Sequence, residues 1–568
     1  MNTSPVDRPL VAVAASPAIG VGLATVDHRW SAPFEELATI VEELTATRDP
    51  RWVWWDANAA GVLVRAGVVI DRCWDVAAVH RLLRGGWRAS PAEVWADLHG
   101  LSTDTIPTLG QLDLLQAQTD EGDDPEAPIR PDGHLRPEWT GGGWAKSETR
   151  LADWAGLALV AADGQQRRIA ERADARRVQS TARSESAAEL LCAELAADGL
   201  PIDVAEAERI IEAAAGPRTA TVGEEEAARA RRDAPVLDAL AATAAVNLRN
   251  PADVKAMLRR EGIDVADTRA WRLRERRDEH PVIDALLRWR KDERIATTYG
   301  YRWLGDHVSD GRLRGDWSSS DGAAGRMTAS AGLHNLPAEM RSAVAAERGH
   351  ILIRADLGQV EPRVLAAVSG DRALIAATGD DDLYRRIADQ LGVDRDEAKL
   401  AVLGAMYGAT TGQSAHALPG LRRNYPQAMA LLERLADEGR RGADVTTVGG
   451  RRIRTGGGPG RDGDLDRARA AAEARGRFAR NAAIQGAAAE FFKVWAITVR
   501  RRVRPMAARI VLCLHDELLV HGPEARADEL AGAVIAAIDE AAHYWSPEPA
   551  VRFVADASVI RRWSEAKP

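Results

Sequence analysis

The chain has 568 residues, 46% hydrophobic and 28% charged, which is enough for several domains with sizeable cores and excludes a disordered or fibrous protein. No apolar run reaches ~18 residues, so no membrane span is expected, and the N-terminal MNTSPVDRPLVAVAASPAIG lacks the basic start of a secretory signal. Cys73, Cys192 and Cys513 are far apart and odd in number, which excludes a disulfide framework or zinc spacing and fits a reducing cytoplasm. A net charge of −9 does not exclude nucleic acid, because phosphate contacts need only a local basic surface, such as Arg288–Arg294 or Arg500–Arg504.

In chain order, PLVAVAA and WVWWDA read as strands and WDVAAVHRLLRGG as a helix, together a small α/β unit within residues 1–100. Residues 118–147 are rich in Asp, Gly, Pro and Glu and read as a loop. Helical periodicity dominates from 148 to about 245, broken at Gly199–Pro201 and Gly216–Pro217, and two or three more helices fill 251–303. HILIRADLG then reads as a strand ending in an acid. A long helical region follows, with a mobile glycine-rich loop at 449–464, and IVLCLHDELLVHG reads as a strand–turn–strand hairpin. Only six lysines occur in the chain, one of them Lys399.

Three segments carry chemistry. In ILIRADLGQVEPRVLAA an apolar strand delivers Asp356 to its end, where a carboxylate is held rigidly enough to ligate a metal. In RIVLCLHDELLV two adjacent acids, Asp516 and Glu517, sit at a hairpin tip, where their repulsion is costly unless a cation offsets it. If the fold joins Asp356 to Asp516, the pair suits two metal ions about 3.5–4 Å apart. In RDEAKLAVLGAMYG, residues Arg395, Lys399, Leu403 and Tyr407 recur every four positions and share one helix face. Arginine and lysine one turn apart suit a polyphosphate, and an aromatic further along suits a base. Taken singly, each segment also reads as ordinary structure: a turn aspartate, a polar hairpin tip, an amphipathic helix.

Together the segments resemble the three polymerase motifs of the family A DNA polymerases, the bacterial DNA polymerase I type. The first is Asp356, Gln359, Glu361 and Arg363; the second is Arg395, Lys399, Leu403, Tyr407 and Gly408; the third is His515, Asp516 and Glu517. GRMTASAGLHNLP resembles the segment that holds the primer end, through Arg326. RFARNAAIQGAAAEFF resembles the helix that carries Arg477, Asn481 and Gln485 to the DNA strands, and NLRNPADVKAMLRREGI resembles the start of the thumb. The similarity covers about residues 187–568.

The resemblance implies a multidomain α/β and α+β fold: a right-hand polymerase of palm, fingers and thumb, preceded by a degenerate ribonuclease H-like 3′–5′ exonuclease domain. The implied bounds are 1–165 for the exonuclease-like domain, 166–186 for a linker, 187–305 for the thumb, 306–372 for the first part of the palm, 373–481 for the fingers and 482–568 for the rest of the palm. It implies two Mg²⁺ ions, with Mn²⁺ as an alternative, held by Asp356, Asp516 and the Leu357 carbonyl, with Glu517 near the primer terminus. Arg395 and Lys399 would grip the triphosphate, Lys399 also protonating the leaving pyrophosphate. Gln359, Glu361, Tyr384, Leu403 and Tyr407 would surround the nucleotide, and Arg326, Arg477, Asn481, Gln485 and His515 would face DNA. The implied partners are primer–template DNA and deoxynucleoside triphosphates, for a monomer associated with the nucleoid. Departures from the pattern are Leu357 for a tyrosine, Tyr384 for a histidine, Leu403 for an aromatic, and short fingers between Tyr407 and Tyr425–Pro426.

RWVWWDANAAGVLVRAGVVIDRCWD resembles part of the proofreading domain, but no Asp-x-Glu pair occurs in residues 1–50. Asn58, Ala59 and Ala60 stand where a metal aspartate is expected, and the closing Tyr-x-x-x-Asp pattern is missing near LALVAADGQQ. An inactive exonuclease is therefore expected. The alternatives are a bifunctional enzyme and a non-catalytic DNA-binding protein on the same scaffold.

Overall fold

A computed structural model describes residues 8–109, 124–240, 246–408, 413–456, 465–548 and 550–566. The chain divides into two compact units. One comprises Met1–Asp198, Asp316–Ala329 and Gly349–Val559; the other comprises Gly199–Gly315, Ser330–Arg348 and Ile560–Pro568. No helix among the described residues is long and apolar enough to cross a membrane.

The first unit opens with a sheet of β1 (Leu10–Ser16), β2 (Gly20–Ala24), β3 (Arg29–Ala32), β4 (Arg51–Trp54) and β5 (Cys73–Asp75), in the order β3-β2-β1-β4-β5. β1, β2 and β3 pair antiparallel, and β4 and β5 run parallel to β1. The two-residue period of LVAVAAS buries both of its faces. Val11, Val13 and Ala15 join a core with Leu23, Trp52 and Trp54, and Ala12 and Ala14 join another with Val53, Trp55, Trp74 and Trp154. Two helices, α1 (Glu148–Ala170) and α2 (Ala175–Asp198), follow this sheet. The α1 backbone lies so close to the sheet that a Cβ on Gly22 would fall 2.1 Å from the Leu151 carbonyl carbon, so only glycine fits there.

Residues 166–186, expected as a linker, are the end of α1 and the first half of α2. Leu191, Cys192 and Leu195 of α2 enter the same apolar core as Ile351, Ile353 and Trp495. The expected loop at 118–147 is described from 124 onward and contains only short helical turns such as Pro137–Thr140; part of the glycine-rich loop at 449–464 lies outside the described residues.

The second unit is mainly helical. Its long helix α3 (Pro281–Thr298) carries Trp289, Ile283 and Leu286 into a core with Val254, Met257 and Leu258. Glu293 of α3 and Asp233 share Arg249, whose guanidinium donates to both at 2.6–3.0 Å. The basic run Arg288–Arg294 is thus partly internal: Arg290 donates to the Thr268 carbonyl and Lys291 pairs with Glu339 at 2.8 Å.

The rest of the first unit is built on a four-stranded sheet of β6 (His350–Leu357), β7 (Arg509–Leu514), β8 (Glu517–Pro523) and β9 (Ala555–Ile560), ordered β7-β8-β6-β9. Helices α4 (Val360–Ser369), α5 (Leu383–Leu391), α6 (Arg395–Tyr407) and the 39-residue α7 (Leu465–Val503) share one apolar core with it. Arg500–Arg504, the other candidate phosphate surface, is tied to carboxylates instead: Arg500 to Glu194, Arg501 and Arg502 to Glu540, and Arg504 to Asp71.

Lys493 of α7 is fully buried and donates to both oxygens of Glu185 on α2 at 2.9 and 2.7 Å, while Arg451 pairs with the same carboxylate at 2.6 Å. Burial alone would raise the Glu185 pKa, but Arg451 and Lys493 hold it below the usual range. Lys493→Met leaves a buried carboxylate with half of its compensation. Chemical denaturation is expected to show a loss of about 3 kcal/mol.

Candidate active site

The alternation of β6 decides which of its side chains can do chemistry. Ile351, Ile353, Ala355 and Leu357 point into the core, so Arg354 and Asp356 occupy the opposite face. Antiparallel pairing with β8 sets Asp356 directly opposite Glu517, and the Leu357 N–H donates to the Asp516 carbonyl at 2.8 Å. Acids 160 positions apart thereby meet at one end of the sheet. The hairpin tip that carries Asp516 turns through His515 at a φ of +21°, and β6 passes into α4 through Gln359 in the left-handed region at +53°.

Like charges set opposite each other on neighbouring strands repel. Burial, then Asp516, pushes the Asp356 carboxyl up to about 6, and burial also raises Asp516, opposed by His515. Arg354 lies against the cluster, its Nη2 3.0 Å from both Asp356 Oδ2 and Glu517 Oε2, and Arg326 opposes the rise of Asp516 from further off. Asp516 has no ion-pair partner among the described residues, and Asp556 of β9 adds further negative potential at Asp356. Two carboxylates raised by burial, Asp356 and Asp516, beside a third, Glu517, are the donor set that divalent cations take.

Beside the acids lies a cleft of about 240 Å³, lined by Arg326, Gln359, Glu361, Tyr384, Leu403, Tyr407, Gln485, His515 and Asp516. Nine of the residues expected at the site from sequence thus line one cleft. Glu361 is clamped at its centre, accepting from Arg326 Nη2 and from the Tyr407 hydroxyl, both at 2.9 Å. Tyr384 is buried, and burial raises its hydroxyl far above the usual phenol range.

Other expected residues sit outside this lining. Arg395 begins α6, with its Nε 2.6 Å from Asp382 and its guanidinium 5.9 Å over the Tyr384 ring. Lys399, one turn on, is exposed and without an ion-pair partner among the described residues, ready for an external anion. Arg477 and Asn481 precede Gln485 on α7: Arg477 is exposed, and the buried Asn481 Oδ1 accepts no hydrogen bond among the described residues.

Three contributors escaped the sequence reading. Arg354 looks like any polar residue of a strand. Asp382 shows its role only in the fold, where it caps α5 and accepts from Gln359 and Arg395. Asp556 lies 200 positions beyond Asp356. Only Asp382 carried a local signal, as an aspartate just before a helix. Arg363, part of the first motif, is fully buried and donates to five backbone carbonyls, of Gly358, Thr378, Asp380, Asp381 and Arg552, at 2.6–3.1 Å. Its role is to fasten the β6–α4 turn.

Acids at the end of a central sheet, beside a cleft lined from neighbouring helices, define a fold that known proteins share. The family model described as DNA polymerase family A matches residues 237–565, and the chain belongs to that family. It is 32% identical to the thermostable DNA polymerase I of Thermus filiformis over 327 residues, which cover 51% of this chain and 37% of that protein. It is 30% identical to DNA polymerase I of Deinococcus radiodurans over 290 residues, 45% of this chain and 29% of that one. The matches therefore span about a third of the length of these curated relatives. A solved structure, the POL domain of Pol1 from M. smegmatis in complex with DNA primer–template and dNTP, shares the fold with a TM-score of 0.68 at 22% identity, covering 98% of this chain and 96% of that one.

Protonation of Asp356 relieves repulsion in the folded state. A carboxyl raised from 3.8 to about 6 therefore makes the metal-free protein lose stability as pH climbs between those values. Asp356→Asn is expected to raise the melting temperature in chelator at pH 7.5, with the gain disappearing near pH 4 (below the raised pKa of about 6). Added Mg²⁺ should stabilise the wild type more than the variant. Scanning calorimetry at the two pH values checks this.

Proposed function

We propose that the chain is a template-directed DNA polymerase that adds deoxynucleotides to a primer 3′ end by two-metal-ion phosphoryl transfer, in DNA repair or replication. The observation that carries this reading is the meeting of Asp356, Asp516 and Glu517 at the edge of a cleft that α6, the helix of Arg395 and Lys399, lines through Leu403 and Tyr407. The names of the relatives, DNA polymerase I, and of the M. smegmatis complex support the substrates: primer–template DNA and a deoxynucleoside triphosphate.

In this reading Asp356, Asp516 and the Leu357 carbonyl hold two Mg²⁺ ions. When bound, such ions lower the pKa of an attacking hydroxyl and stabilise the leaving pyrophosphate. Arg395 and Lys399 hold the triphosphate, and Asp382 orients Arg395 for that task through its 2.6 Å contact. Lys399 supplies a proton to the departing pyrophosphate. Glu361 closes the space beneath the sugar, and its two donors, Arg326 and Tyr407, keep it from swinging aside. Arg326 and Gln485 read the minor-groove acceptors that all correct pairs share. Residues 187–305 are read as thumb, although 187–198 belong to α2 and the first unit, with 306–372 and 482–568 as palm and 373–481 as fingers.

The N-terminal sheet we read as an exonuclease-like domain without hydrolytic activity. Its strand order, β3-β2-β1-β4-β5, supports the relation. β1 carries no acid. Asp56 and Asp75, at the ends of β4 and β5, cap the helices that follow, and Asp75 also accepts from Trp54.

Asp356→Ala and Asp516→Ala are each expected to cut primer extension by at least about a thousandfold while leaving primer–template affinity nearly unchanged; near-normal extension would remove the mechanism. Glu361→Ala should gain ribonucleotide incorporation when ATP and dATP compete opposite thymine. A mispaired 3′ end incubated with the wild type and Mg²⁺, without nucleotides, should keep its length; shortening would restore the bifunctional alternative.

A further inference from the structure

Away from the acids, a cavity of about 370 Å³ lies between the N-terminal ends of β1, β4 and β5, the helix α2, and the C-terminal parts of α7 and of the helix Ala527–Trp545. Six arginines line it, against two carboxylates, Asp71 and Glu540. Both carboxylates are already engaged, Asp71 by Arg504 and Glu540 by Arg501 and Arg502. Arg8 and Arg72 share Asp49, and Arg500 is held by Glu194.

Two guanidiniums remain without an ion-pair partner among the described residues. Arg51 donates only to the Cys73 carbonyl, at 3.1 Å, and Arg183 has a buried Nε with no hydrogen bond. Burial, then the nearby Arg183, pushes Arg51 down to about 10. Tyr544 forms part of the wall, its ring half exposed and its hydroxyl fixed to the Ser180 carbonyl at 3.1 Å. A second cavity, of about 740 Å³, shares Ser184, Val494 and Tyr544 with the first and adds Arg176, Arg177 and His543.

We propose that this cleft is a binding site for a free nucleoside monophosphate, with the phosphate between Arg51 and Arg183 and the base against Tyr544. Guanidiniums select phosphate, a flat phenol ring offers a stacking face, and the volume is in the range that encloses a small ligand. The site stands apart from the polymerase cleft, whose lining shares no residue with it. It therefore senses nucleotide without competing for the acids.

Titration calorimetry on the full chain tests the proposal, with deoxyadenosine monophosphate and inorganic phosphate as probes. The nucleotide should bind at this site more tightly than phosphate. Arg183→Gln should weaken both by at least about tenfold, since it removes a charge-assisted hydrogen bond. Tyr544→Ala should weaken the nucleotide alone. In phosphate-free buffer Arg183→Gln should melt at or above the wild-type temperature, because it removes repulsion rather than a bond. Nucleotide binding that Arg183→Gln leaves intact, equal affinity for the two probes, or a fall in that variant's melting temperature would each overturn the proposal.

Discussion

The site depends on one antiparallel ladder, the pairing of His350–Leu357 with Glu517–Pro523. Its register is enforced by burial. Because side chains alternate, a slip of one residue would drive Arg354 and Asp356 into the apolar core and bring Ile351 and Ile353 out of it. The core thus holds Asp356 and Glu517 together against their own repulsion. The same burial raises the Asp356 and Asp516 carboxyls above their usual range.

Around that ladder, the polar side chains form two closed circuits. In one, Asp382 receives Gln359 and Arg395, and Gln359 in turn accepts from the Leu383 N–H. In the other, Glu361 is shared by Arg326 and Tyr407. Each circuit joins the turn after β6 to a different helix or strand. Arg363 beneath them uses its whole guanidinium to bind carbonyls from three chain segments. A lysine there would keep the charge but not the planar fork of five donors.

Much of this was legible in the sequence wherever function leaves a local pattern. The apolar runs before Asp356 and Asp516 announced strands ending in acids, and a four-residue spacing put Arg395, Lys399, Leu403 and Tyr407 on one helix. Charges whose partners lie far away were not legible. Arg500–Arg504 reads as a basic surface until Glu194, Asp71 and Glu540 are folded against it. Arg354 carries no motif, and its position between two carboxylates exists only once β8 lies beside β6. Residues 166–186 look like a polar connector because Glu185 meets its partner Lys493 308 positions later.

That last pair has a consequence for the segment that carries Glu185. The helix α2 sends Glu185 to Lys493 and Glu194 to Arg500, two buried cations of the long helix α7. Deleting α2 would strand both cations in a low-dielectric interior. Selection acting on folding alone would then keep the segment, just as it keeps a core leucine. The helix α2 thus serves its unit as a counter-ion, whatever else the segment before it does.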